Sequence, residues 1–503
     1  MGGGESAPSE LERSYPVLRW VPAEASYALV AARASEAALA ARELAELVSI
    51  AYGVTTEEID AGLRSAIGAS PLQADDLARA GIDLRGSAAV FGQAGYPTAV
   101  LPVADRDRLR SFLDRRRGAR VTRHGDHEVH SWPSGDWSLS LTELDRWLVV
   151  RFGPRRGDVA WLDQVLAAGD GATLGPALAE SASRGRGALG SGERPGLIGL
   201  VRLDLLGRDL AAWPDVPEGL AGCARRAARA VPRILMAADF SSQGGASWTA
   251  IDLAPRAAGA LRVGVVDPPP PGYRAYRDGA AISLDWSVEL GTLERARAAL
   301  ACPLLDDPIE DPVRAATGFA GPRGWHVAAT EVDLDDLSGA GAAHLVLADP
   351  ALIQAQLESI PARSWFERTR RIAGQRVKVL SVPGLPTVTY RLGDGEFTVA
   401  VGDGVMEEVL SAGKRAASPE LAQLTIRPPR LPELDQLIGA GLVMLVGPHA
   451  RPAARAIAER LSRYDEVALS ARLDGDSVAV FARVRLRRTA RLDPARVPRT
   501  SLW

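Results

Sequence analysis

Between Thr98 and Gly153 the chain sets out a pattern of apolar and polar positions that returns about half its length later. TAVLPVADRDRLRSFL (Thr98 to Leu113) lies over AAHLVLADPALIQAQL (Ala342 to Leu357) without a gap, at an offset of 244 residues. Each stretch predicts an apolar strand, an aspartate, then an amphipathic helix. Asp105 and Asp349 stand at the strand-to-helix junction, where a carboxylate accepts hydrogen bonds from the free N–H groups of the first turn. Pro350 suits the next position, where no donor is needed. Both aspartates read as structural caps. Further on, Ser131 and Pro133 recur as Ser381 and Pro383, and each block closes on a strand running into glycine, WLVVRFG at Gly153 and FTVAVG at Gly402.

Before this stretch, MGGGESAPSE and the residues up to 14 are polar and aperiodic, which predicts a flexible tether with folded sequence from Tyr15. A strand is expected over Tyr27 to Ala31, then a helix over Glu36 to Leu47 capped by Ser35, with Leu39, Leu44 and Leu47 at helical spacing. More helix follows from Glu57 to Ala80, and a strand from Gly81 to Gln93. After the Asp105-capped helix come a hairpin around His124-Gly125-Asp126-His127 and the strands Trp137 to Leu141 and Trp147 to Phe152. From Asp158 the pattern turns helical. Ser183 to Gly196 reads as a loop, Gly196 to Gly207 as a strand, and Cys223 to Val231 as a helix leading to a hairpin of ILMAADF and SWTAIDL. LRVGVV (Leu261 to Val266) reads as a strand closing the half, and Pro268 to Pro271 as a stiff spacer.

The second half repeats the plan. Ala281 to Leu300 has the strand-then-helix sense of Tyr27 to Leu47. VDL at Val332 echoes IDL at Ile82 at an offset of 250, and GLVMLV (Gly441 to Val446) echoes GLIGLV (Gly196 to Val201) at 245. A helix over 452–463 and a hairpin turning at Asp474-Gly475 complete it. The predicted fold is α+β: two tandem related halves, each with mostly antiparallel sheets packed by helices. Its expected parts are a tether (1–14), a first α+β unit (15–153), a helical and hairpin unit (154–267), a proline-rich linker (268–275), a second α+β unit (276–415), a second helix and hairpin unit (416–490) and a tail (491–503).

Composition narrows the function classes. At 503 residues the chain exceeds one hydrophobic core. A formal net charge of −3 provides no whole-chain basic field, which argues against nucleic acid as a partner. Lys378 and Lys414 are the only lysines, a bias read as that of a GC-rich bacterial genome. No apolar run approaches the ~20 residues of a membrane-spanning helix. Cys223 and Cys302 match no metal spacing and read as buried small apolar residues, with a disulfide as the alternative in an oxidising compartment.

Candidate chemistry is sparse. Gly185, Gly187 and Gly190 match G-x-G-x-x-G, but with a helix before and a strand after, the reverse of a dinucleotide loop. No cofactor is expected. His124, His127 and His130, with Asp126 and Glu128 nearby, are the candidate metal ligands. Alternation along a strand puts His127 and His130 on opposite faces, which favours ordinary hairpin surface residues. Asp306 to Asp311 and Asp333 to Asp336 lack the ligand spacing of a calcium loop, and the first, with Pro308 and Pro312, reads as turn and cap chemistry. A carboxylate pair for glycoside hydrolysis is a spatial arrangement that no spacing nominates. Trp132, Trp137 and Trp147 read as core, with a glycan- or protein-binding sheet edge as the alternative.

In VPAEASYALVAA, GIDLRGSAAVF and TAVLPVADRDRL the chain resembles an uncharacterised bacterial family of exported proteins and lipoproteins, filed as a domain of unknown function. The resemblance implies the cell envelope and no catalytic residues. The Gly-Gly-Gly-Glu-Ser-Ala-Pro lead is the kind of tether that follows a lipidated cysteine, absent here, with Met1 in its place. The expectation is a non-catalytic bacterial envelope lipoprotein, in the periplasm or at the outer membrane, that binds or scaffolds a protein or envelope component. A hydrolase with a site between the halves is the alternative, a carrier of apolar ligands the second, and a cytoplasmic location the alternative compartment.

Overall fold

The computed structural model describes residues 9–487, except 53–54, 116–117, 155–158, 170–172, 191–193, 212–217, 242–243, 267–278, 290–291, 293–321, 334–337, 348, 360–365, 394, 412–419, 432–433, 437 and 439–450. The chain forms two compact units, Met1–Phe240 with Ser247–Asp252, and Ser241–Ala246 with Leu253–Trp503.

The strands of the first unit are β1 (Tyr27–Ala31), β2 (Ala88–Gln93), β3 (Tyr96–Pro102), β4 (Arg120–His124), β5 (His127–Ser134), β6 (Trp137–Leu144), β7 (Trp147–Pro154), β8 (Leu197–Arg202), β9 (Arg233–Ser241) and β10 (Gly244–Asp252). They pair in the order β4-β5-β6-β7-β3-β2-β1-β8-β9-β10. Helices α1 (Glu10–Ser14), α2 (Ala34–Tyr52), α3 (Thr56–Ile67), α4 (Ala74–Arg79), α5 (Arg106–Asp114), α6 (Ala160–Gly169), α7 (Gly175–Leu189), α8 (Leu203–Ala211) and α9 (Glu218–Ala230) accompany them. Leu109 of α5 is fully buried with Leu77, Leu141 and Trp132. Gly81, at φ +90°, lets the chain after α4 close on the start of α5; a Cβ there would lie 2.5 Å from the Asp105 carbonyl oxygen.

In the second unit, after α10 (Pro255–Gly264), the strands are β11 (Ile282–Trp286), β12 (Pro322–Asp333), β13 (Ser338–Leu347), β14 (Glu367–Ile372), β15 (Gln375–Leu380), β16 (Val388–Gly393), β17 (Glu396–Val401), β18 (Glu420–Ile426), β19 (Tyr464–Asp474) and β20 (Ser477–Leu486). Their order, β14-β15-β16-β17-β13-β12-β11-β18-β19-β20, is that of the first sheet strand for strand. Register agrees as well. Val100 faces Val149 across β3 and β7, and His344 faces Thr398 at the same place across β13 and β17. α11 (Pro350–Glu358) follows β13 as α5 follows β3, and α12 (Val405–Ser411) follows β17 as α6 follows β7. Met406 and Val409 of α12 bury Ala328, Ala342 and Ala400 on one sheet face. On the other, Ile353 and Leu357 of α11 pack with Leu345, Leu392 and Phe397. α13 (Arg451–Leu461) precedes β19.

Several expectations are corrected. Residues 10–14 of the expected tether form α1, whose first turn is closed reciprocally by Ser9 and Glu12. α2 begins at Ala34, so Ser35 lies inside it, and the Glu36 carboxylate accepts the Arg33 N–H instead. The expected helix 57–80 is interrupted at Gly68, in the left-handed region. Ser183 to Leu189 is helix rather than loop because Gly185 packs on the sheet, where a Cβ would come 2.2 Å from that of Ala237. Leu203 to Gly207 is the start of α8 rather than strand: Leu203, Leu206 and Leu210 follow helical spacing. Leu261 to Gly264 ends α10, which Pro255 opens, rather than forming a strand, and Gly264 lies close against Thr292. Leu253–Val266 thus groups with the second unit, and the expected linker falls outside the described residues.

The repeat markers divide. By strand pairing, Asp105 corresponds to Asp349 and Arg151 to Ala400, which carries Gly153 onto Gly402. Ser131 corresponds to Val379, so Ser381 and Pro383 fall two residues late. Val332 and Asp333 end β12, whereas Ile82 and Asp83 precede β2. The place of β8 is taken by β18, not by Gly441 to Val446, which lie outside the described residues.

Candidate functional site

Cross-strand register builds a polar row through the second sheet: Gln423, Asp285, His326, His344, Thr398 and Arg391 stand opposite one another on six adjacent strands. The corresponding row of the first sheet reads Ile198, Val30, Ala89, Val100, Val149 and Thr142. Asp285, His326, His344 and Thr398 are all buried, His326 completely. Such groups persist in a core only when paired. The Asp285 carboxylate meets Nδ1 of His326, and Nδ1 of His344 lies 3.0 Å from the Thr398 hydroxyl. Burial, aided by the neighbouring His326 and Arg391, pushes the His344 pKa down to about 4, so its imidazole is neutral near pH 7. An aspartate orienting a histidine is the arrangement of a general base. Here it lies buried within the sheet.

Arg391 leads to the second feature. A cavity of about 650 Å³ lies between α11 and the strands β14 to β16. Thr369, Lys378 and Tyr390, opposite one another on those strands, form its floor. Pro350, Gln354 and Leu357 of α11 form a wall. Arg376 and Arg391 also line it, and among the described residues no carboxylate does. Glu367, beside the floor, accepts hydrogen bonds from Lys378 (2.8 Å) and from the Tyr390 hydroxyl. Two cavities of the first unit differ: about 620 Å³ with Glu10 and Glu12 beside Arg186 and Arg194, and about 570 Å³ with Asp76 beside Arg64 and Arg79. Residues 367–393 carry six arginine or lysine side chains against the single Glu367.

The sequence-nominated residues lie elsewhere. His124 and His127 face each other across the β4–β5 turn, but Nε2 of His124 meets Oδ1 of Asp163 at 2.6 Å, and His130 stacks near Trp132. Among the described residues no three His, Cys, Asp or Glu side chains converge as a metal site. Asp105 accepts the Arg108 N–H and Asp349 the Ala351 N–H. Gly185 and Gly187 lie within α7, and Gly190 ends it in the left-handed region. Cys223 is disulfide-bonded rather than a plain buried thiol. Trp132 is core, while Trp137 stacks on Phe152 at 5.2 Å and meets Tyr96 edge-on. Asp306 to Asp311 and residues 334–336 lie outside the described residues.

Neither feature was found from sequence. The buried row joins residues 41 positions apart, Asp285 and His326, which only strand pairing brings together. The basic floor was within reach: charge summed over the whole chain hid it, and a short charge window would have exposed 367–393.

No known protein family matches this sequence, and no curated protein does. Structural likeness of low extent exists to crystal form III of TP0453, at 10% identity and a TM-score of 0.27, covering 47% of this chain and 80% of that one. Crystal form IV of TP0453 gives 10% identity and a TM-score of 0.27 over 50% and 85%.

Proposed function

We propose that this chain is a non-catalytic binding protein of the bacterial cell envelope that holds an acidic ligand on its second unit. The observation that carries the reading is the cavity under α11, lined by Arg376, Lys378 and Arg391 and, among the described residues, by no carboxylate. Cations grouped in this way attract anionic partners and set their orientation. The Asp285–His326 pair, by contrast, is buried within the sheet, which favours binding over catalysis. The disulfide at Cys223 supports the envelope, because such bonds persist in oxidising compartments. Among the described residues no helix is long and apolar enough to cross a membrane. Attachment through a lipid is part of the same proposal, and fatty-acid labelling of the expressed gene tests it. The shared strand order and register support an origin of the two units by duplication, to be tested by aligning the halves of homologous chains at the structural offsets.

The binding reading is tested by calorimetric titration of the full chain with an acidic peptide, polygalacturonate and inorganic phosphate. The expected result is binding of at least one, weakened by salt and by Arg376→Ala with Lys378→Ala. Absence of binding by every acidic probe, or its chemical turnover, sinks the reading. Alkylation of the Cys223 peptide only after reduction tests the disulfide; labelling without reductant in protein isolated from the native source counts against the envelope.

A further inference from the structure

Resting on that reading of the β14–β16 face, we propose that the occupant is an acidic, extended segment of another polypeptide that adds as a strand to β14. Among the described strands β14 pairs with β15 alone and ends the sheet. Arg368, Thr369, Arg370 and Arg371 are exposed along it. An edge strand presents a row of backbone donors and acceptors that an extended chain can satisfy, while its side chains select the sequence. Six residues at ~3.3 Å each accommodate a segment of about the same length.

Charge chooses the partner. Arg371 stands directly opposite Arg376, and like charges at paired positions destabilise a sheet. Carboxylates on an added strand would relieve that repulsion, with the Arg376–Lys378 side of β15 behind it. A second copy of this chain would set the same arginines against each other, and a neutral strand would leave them uncompensated, so the edge excludes both. The equivalent edge of the first unit differs: on β4, Arg123 stands opposite Glu128 rather than opposite a second arginine.

The test uses the full chain and a fluorescent eight-residue peptide alternating glutamate and valine, read by anisotropy at low salt. Two further peptides carry the same side chains with backbone N-methylation at alternate residues, one in each phase. Strand addition predicts that one phase loses affinity by roughly tenfold or more while the other binds nearly as well, because N-methylation removes donors on only one edge. Alternate amides of 367–372, those directed away from β15, should gain protection from exchange. Arg368→Glu/Arg370→Glu/Arg371→Glu, at exposed positions, should lose the acidic peptide and gain its lysine counterpart, with an unchanged urea midpoint. Equal binding of both methylated peptides, or binding of polygalacturonate but not of the peptide, overturns strand addition and leaves the acidic-ligand reading standing. Failure of every acidic probe overturns both.

Discussion

His326 and His344 face each other across β12 and β13, buried at 0% and 2% exposure, at the place where the first sheet pairs Ala89 with Val100. One scaffold thus holds an apolar pair in one unit and two imidazoles in the other, the first backed by Asp285 and the second by Thr398.

That substitution makes stability sensitive to acid. His344 titrates at about 4 in the fold, against 6.5 for an unperturbed histidine. Below 6.5 the unfolded chain takes up a proton that the folded chain refuses. The contribution is therefore intact above pH 6.5, declines as pH falls, and levels off near pH 4, a loss on the order of 3 kcal/mol. Urea unfolding at pH 7.5, 6 and 5 measures it. His344→Val, the residue of the first unit, should flatten the decline; an unchanged slope would contradict the assignment.

The Asp285–His326 pair should show strong coupling. Asp285→Val leaves His326 in the core without its carboxylate and should cost about 3 kcal/mol or more. Combining it with His326→Ala installs the residues found at Val30 and Ala89, and should recover most of that loss. Additive losses in the double-mutant cycle would show that the two side chains do not depend on each other.

Asp105→Ala removes the acceptor for the Arg108 N–H and should destabilise the protein by about 1 kcal/mol. Peptide binding to the second unit should be unaffected. A loss of binding at unchanged stability would make this carboxylate more than a cap.

Gly185→Ala distinguishes packing from phosphate binding in the glycine-rich stretch. Its Cβ has no room beside Ala237, so α7 must shift and stability should drop by roughly 1–3 kcal/mol. A variant as stable as the parent would refute the packing role.

Local signals carried the parts of the fold that depend on neighbours in sequence. The alternation in Trp137 to Leu141, the glycines at the Gly125 and Gly475 turns, and the carboxylates before α5 and α11 act within a few residues, and the turn and cap they imply are where the pattern puts them, with the strand running on to Leu144. Tertiary structure decided the rest. Ser183 to Leu189 became helix because the sheet needs a bare Cα at Gly185, and Leu261 to Gly264 continue the helix that Pro255 opens. The likeness between the halves was legible, yet its true offsets were set by register, which moved Ser131 onto Val379 and β8 onto β18. Asp285, His326, His344 and Thr398 are ordinary residues of four separate strands, and so are Arg371 and Arg376 before the hairpin sets them face to face. A strand shows its own period in its sequence, but hydrogen bonding across the sheet determines which residue stands opposite, and the charge and burial of both features arise from that pairing.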